Sequence, residues 1–216
     1  KILIYFFLLF LVGSINNIEL NNIDFYKIKN INIKGLEDNN NLILFNKIKK
    51  LDLRNIFFIN EINISNQINS NNLVEQFKVF KRYPSTLDIH LKITESLARA
   101  KNQGKIFLIG ANGKLSSSKS FNNELPFIFG KLNVSDFLII KKKIDQSRFS
   151  YDEIKNLYYF SSRRWDIELK NDVLIKLSKN DTKESLELAF EFLRNNDFKD
   201  IKIIDARVKN QIIIND

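Results

Sequence analysis

From Leu87 onward the apolar residues fall at every second position (Leu87, Ile89, Leu91, Ile93), while Asp88, His90, Lys92 and Thr94 take the other face. That period of two predicts a half-buried β-strand. It is entered through Tyr83-Pro84, where the proline ends a preceding helix and biases Tyr83 towards an extended backbone. Upstream, Ile28 to Lys34 alternate up to Gly35, a short strand, and Leu42, Phe45, Ile48 and Leu51 recur at intervals of three, as on one helix face. The run Ile56-Phe57-Phe58-Ile59 fits either a strand or a buried turn. Asn72 with Glu75 three residues on reads as the cap of a second helix, whose buried face is Leu73, Val74, Phe77 and Phe80. Ala98 to Lys101 read as the partner of the Leu87 strand. The predicted order is β-α-α-β-β over about 70 residues, enough for a small domain.

Downstream the alternation starts again. Ile106 to Ile109 and Lys114-Leu115 flank Asn112-Gly113, a dipeptide suited to the positive φ angles of a hairpin turn. Val134, Phe137, Leu138 and Ile144 trace one side of a helix. Trp165, Ile167 and Leu169 share one face of a strand that turns at Asn171-Asp172 and returns as Val173 to Leu177. Trp165 is read as a core aromatic. Asp181 with Glu184 predicts another cap, and Leu186, Ala189, Phe190 and Leu193 a buried helix face. Ile203 to Val208 form a strand that turns at Lys209-Asn210 into a last one, Gln211 to Asn215. The fold class is therefore α+β, with a mostly antiparallel second domain.

The first residues are different: Ile2 to Val12 are all apolar and follow Lys1. Eleven such residues reach only about 16 Å as a helix, against ~30 Å of hydrocarbon. They read as the end of a membrane anchor over residues 1–15, or as a signal-peptide core ending at Val12-Gly13-Ser14. Either sends the remainder across a membrane. The polar stretch Asn16 to Asn22 follows as a spacer. The sequence holds no methionine, which predicts residues before Lys1.

Composition narrows the chemistry. There is no cysteine, so disulfides, thiolate nucleophiles and thiolate metal sites are excluded. The net charge of +9 suits an anionic partner, but acidic residues are interspersed with basic ones. Lys141-Lys142-Lys143 sits in an amphipathic helix and reads as a solvated face. Gly110-Ala111-Asn112-Gly113-Lys114 is not a phosphate loop, because Leu108 replaces the required glycine and Leu115 the magnesium-binding hydroxyl. The single histidine, His90, lies on a polar strand face without nucleophile or metal-ligand spacing nearby. No catalytic, cofactor or metal site is expected.

What the chain does offer is a strand edge. Gln211 to Asn215, if last in its sheet, leaves backbone groups unpaired, and three isoleucines are a poor deterrent to pairing. A partner strand added there is one reading. The other is that the inward-facing members of Ile212 to Ile214 close the core.

Ile33-Lys34-Gly35, then Tyr83-Pro84-Ser85-Thr86-Leu87-Asp88-Ile89 running to Glu95 and Ala100, resemble the POTRA domain of the FtsQ/DivIB family of bacterial division proteins. Leu125-Pro126 with Gly130, Arg163-Arg164-Trp165-Asp166 and Ile204-Asp205-Ala206-Arg207 resemble its second domain. Ala98 stands in place of the family's proline, Ala206 in place of leucine, and Val208 where enterobacterial members carry tyrosine. The resemblance implies an anchor (1–15), a POTRA domain (26–95) and a β-domain (96–216). It implies a non-enzymatic scaffold held in the inner membrane by a single span, with its folded domains in the periplasm at the septum. It also implies strand addition by FtsB, itself joined to FtsL, at Arg207, Val208, Gln211, Ile212, Ile213 and Ile214. Arg207 would meet an acidic side chain of FtsB. The POTRA domain would contact other membrane division proteins. A transport or outer-membrane assembly factor is the alternative, since POTRA domains serve there too. A basic nucleic-acid binder is a third reading, and it would require a cytoplasmic chain.

Overall fold

The computed structural model describes residues 2–15, 27–51, 53, 55–117, 124–131, 133–195 and 201–215. The expected polar spacer, Asn16 to Asn22, lies outside them. The chain divides into two compact units, Lys1–Ile93 and Thr94–Asp216. It opens with helix α1 (Ile2–Ile15), whose apolar side chains from Ile2 to Val12 are exposed. Its 14 residues span about 21 Å. Among the described residues no helix is long and apolar enough to cross a membrane.

The first unit continues with β1 (Asn30–Lys34), α2 (Asp38–Lys49), α3 (Glu61–Asn69), β2 (Val74–Arg82) and β3 (Thr86–Ile93). The sheet order is β1-β3-β2, with β1 parallel and β2 antiparallel to the central β3. Leu87, Ile89 and Leu91 point from β3 into a core closed by Leu44 and Ile48 of α2 and Ile64 and Ile68 of α3. The β-α-α-β-β order therefore stands, but with two elements reassigned. Residues 74–82 form a strand, not the helix that Asn72 and Glu75 suggested. After a bulge between Val74 and Gln76, Phe77 and Val79 turn to the core while Lys78, Phe80 and Arg82 stay exposed. Hairpin pairing with β3 decided the matter over local capping chemistry. The second helix lies earlier, capped by Asn60, whose side chain accepts from the Asn63 amide at 3.2 Å. The undecided run is a turn, with Ile56 and Ile59 buried and Phe57 and Phe58 exposed.

The Ala98–Lys101 strand belongs to the second unit rather than to β3. That unit comprises β4 (Ser96–Asn102), β5 (Lys105–Gly110), β6 (Leu115–Ser116), β7 (Phe127–Phe129), α4 (Val134–Asp145), β8 (Ile154–Tyr159), β9 (Trp165–Leu169), β10 (Leu174–Leu177), α5 (Thr182–Asn195), β11 (Ile203–Ala206) and β12 (Ile213–Asn215). They make one sheet in the order β12-β11-β10-β9-β8-β7-β4-β5-β6. The β4–β7, β7–β8 and β10–β11 pairs are parallel, and a parallel return needs a crossover. β4 returns to β7 by way of β5 and β6, and α4 and α5 supply the other two crossovers. Both step the same way along the sheet, so the right-handed rule places them on one face. In register across that face run Ala100, Ile128, Leu157, Ile167, Ile175 and Ile204. They pack with Phe137, Ile140 and Ile144 of α4 and with Leu186 and Ala189 of α5. Trp165 is buried in this core, as read from its alternation.

Gly35 allows β1 to end against β3. Its φ is +118°, and a Cβ there would lie 1.9 Å from the Leu91 carbonyl oxygen. Gly104 also has positive φ, but a Cβ there meets nothing within 4 Å. Gly35→Ala is therefore expected to cost about 3 kcal/mol or more, against about 1 kcal/mol for Gly104→Ala. Chemical denaturation of the two variants measures the difference.

Candidate functional site

Strand β12 is the outermost strand at one side of the nine-stranded sheet. Its inner side pairs antiparallel with β11, Ile204 opposite Ile214 and Asp205 opposite Ile213. Among the described residues no strand pairs with its outer side. The turn before it follows from local chemistry: Asn210 takes a positive φ of 58°, which asparagine tolerates, and the Gln211 amide donates to the Val208 carbonyl at 3.2 Å.

The sequence-predicted residues divide by position. Ile212 packs against the main core, so the core-closing reading holds for this one. Ile213 and Ile214 do not close the core, being 56% and 41% exposed. Gln211, Arg207 and Val208 are exposed as well. Arg207 is already engaged: its Nε donates to both carboxylate oxygens of Asp205, at 2.8 and 3.0 Å, and its own amide donates to Oδ1 at 3.1 Å. An acidic group from outside would compete with Asp205 for the guanidinium.

Asp205 was missed as a member of the edge, although its spacing of two from Arg207 already placed both on one strand face. The registers put Asp166, Lys176, Asp205 and Ile213 side by side, on the face away from the helices. Asp166 is only 3% exposed. Burial pushes its carboxyl above the ordinary value, opposed by Arg164, whose Nε donates to it at 3.1 Å. Asp205 goes the other way: hydrogen bonds from Arg207 hold its carboxyl below the ordinary value. A row of alternating charge thus ends at an exposed isoleucine.

On the helix side of the same edge, a groove of about 330 Å³ lies between α5 and the turn after β11, lined by Leu188, Val208, Lys183, Glu184 and Lys209 among others. Two contacts fix its walls. Ser185 Oγ donates to the Ala206 carbonyl at 2.8 Å, and Arg148 holds Glu187 and Glu191 at 2.7 and 2.8 Å. A strand added to β12 would send alternate side chains towards this groove and towards the charged row.

Nothing comparable surrounds His90, which is exposed and meets the Phe80 ring edge-on at 5.3 Å. Among the described residues no group of three or more His, Cys, Asp or Glu could hold a metal ion.

Comparison with known proteins bears on both units. The sequence profile described as "Cell division protein FtsQ/DivIB, C-terminal" matches residues 98–207, and that of "POTRA domain, FtsQ-type" matches residues 26–92. The chain is 23% identical over 199 residues to the cell division protein FtsQ of Rickettsia typhi, covering 88% of this chain and 72% of that protein. It is 22% identical over 167 residues to FtsQ of Bradyrhizobium diazoefficiens, covering 74% and 48%. It is 27% identical over 131 residues to the cell division protein DivIB of Clostridium botulinum, covering 61% and 50%.

The Arg207–Asp205 clasp has a pH signature. Because the folded carboxyl titrates below its ordinary 3.8, its stabilisation is complete above that value and is lost as pH falls through the folded one. Arg207→Ala is expected to move the Asp205 titration back towards 3.8, read by carboxyl NMR.

Proposed function

The chain belongs to the FtsQ/DivIB family of cell division proteins, and from that membership we propose that it is a non-enzymatic division scaffold recruiting the FtsB–FtsL pair by strand addition at β12. The observation that carries this reading is the exposed outer side of a terminal strand with two exposed isoleucines. Main-chain hydrogen bonds along β12 supply affinity, and pockets for alternate side chains supply selectivity. The turn groove takes side chains on one face of the incoming strand, and the row ending in Asp205 and Ile213 meets those on the other. Arg207 serves the partner by exchanging Asp205 for an acidic group on FtsB, a charge-assisted bond of the same kind. Val208, where some relatives carry an aromatic residue, lines the groove with a smaller apolar surface.

In this reading α1 is part of the segment that holds the protein in the inner membrane, with both units on the periplasmic side at the septum. The first unit meets other membrane division proteins. The match of residues 98–207 to the FtsQ/DivIB profile favours this over a transport or outer-membrane assembly role.

Hydrogen exchange on the full chain, with and without FtsB–FtsL, tests the mode of binding. Amides of Gln211 to Asn215 become protected if a strand is added, and unchanged exchange there sinks the reading. Two substitutions test the clasp by titration calorimetry. Arg207→Ala is expected to weaken binding by about tenfold, the scale of one charge-assisted hydrogen bond. Asp205→Asn, which releases Arg207 from its internal partner, is expected to tighten it. Equal affinities for both variants and the parent would remove Arg207 from the interface.

A further inference from the structure

The first unit carries an exposed cluster of aromatic and basic residues to which no residue-level role has so far been given. At the end of the sheet where β2 turns into β3, Tyr83 is 57% exposed and its ring stacks on Phe57 at 4.9 Å. Phe58, beside it in the turn between α2 and α3, is 86% exposed, and Ile62 one turn further on is exposed too. Aromatic rings gathered in the open are unusual on a small soluble domain and mark a contact surface. Basic residues gather at the same end. Arg82 precedes Tyr83 and is held by Asp88, its Nε donating at 2.8 Å, and Lys81 reaches Glu61 at the start of α3 at 2.8 Å. Lys49 and Lys50 close α2, which leads into the Phe57-Phe58 turn.

The direction of the chain suggests what covers this cluster. The amides of Lys29 and Asn30 donate to the Ser85 carbonyl at 2.9 and 3.3 Å, so the chain enters β1 at this same end. It arrives there from α1 through residues 16–26, a length that reaches at most about 40 Å when fully extended. The chain leaves at Ile93, opposite Val74, at the other end of the sheet. The aromatic end is thus the one tethered to the apolar helix.

We infer that this end of the first unit rests on an anionic lipid surface. Phe57, Phe58 and Tyr83 sit at headgroup level, where aromatic rings are favoured. Lys49 and Lys50 face lipid phosphates, since basic residues next to a membrane are drawn to anionic headgroups. A lipid surface fits better than a protein groove because the tether of α1 holds it within reach of this end. The inference rests on the membrane anchoring proposed above.

The chain's lack of cysteine makes single-site labelling clean. Full-length Phe58→Cys and Ser70→Cys, the latter at the opposite end of the unit, carry an environment-sensitive fluorophore. Each is reconstituted with vesicles of phosphatidylglycerol and phosphatidylethanolamine, and flotation is measured alongside fluorescence. The expected result is that both proteins float, the probe at 58 shifts to the blue and is quenched by brominated lipid, and the probe at 70 is unaffected. Vesicles of phosphatidylcholine alone are expected to abolish the shift at 58. Proteins that float with the 58 probe in water overturn the docking and leave the anchor standing. Proteins that do not float overturn both. A shift at 58 that is equal in phosphatidylcholine, or matched by the probe at 70, overturns the anionic surface.

Discussion

A backbone amide or carbonyl removed from water must be paired, and the second unit is built around that requirement. Pairing β7 with β8 and β10 with β11 in parallel forces two crossovers, and the crossovers bring α4 and α5 onto one face. The six-residue apolar row from Ala100 to Ile204 is buried because those helices lie over it. Among the described residues the same requirement is met at β12 on one side only. Interior and edge are therefore two results of one constraint, and the edge cannot be judged apart from the ladder that presents it.

Charge refines what the edge can accept. Asp166 is buried and held by Arg164, whereas Asp205 is clasped by Arg207 close to the last strand. The buried pair is part of the structure, since separating it would leave a carboxylate without water or partner. In the outer pair Arg207 is 44% exposed and Asp205 13%, and opening it towards water costs less. Of the two pairs, the exchange of partners proposed for Arg207 falls on the one that is easier to open.

Much of this was legible in the sequence, and the failures have physical causes. β3, the Asn112-Gly113 hairpin, the α4 and α5 faces and the closing strands all declare themselves by period. Residues 74–82 did not, because Asn72 and Glu75 supply convincing local capping chemistry while the pairing partner of β2 lies beyond a turn. The helix α3 was hidden for the opposite reason: its apolar face is only Ile64 and Ile68, set among asparagines. Arg207 and the isoleucines could be placed on the last strands from alternation. The Asp205 clasp could not be foreseen, since a spacing of two allows an ion pair without requiring it.

The sheet is unequal at its two sides. It closes with β6, a strand of two residues, and opens with β12, a strand of three with two exposed isoleucines. Under the strand-addition proposal, a body that extends its ladder at β12 alone would capture a single polypeptide and then stop, whereas one with two receptive margins would grow into a fibre. Each copy would then carry a valence of one, and the number of copies gathered at one place would set the ceiling on how many partner strands assemble there.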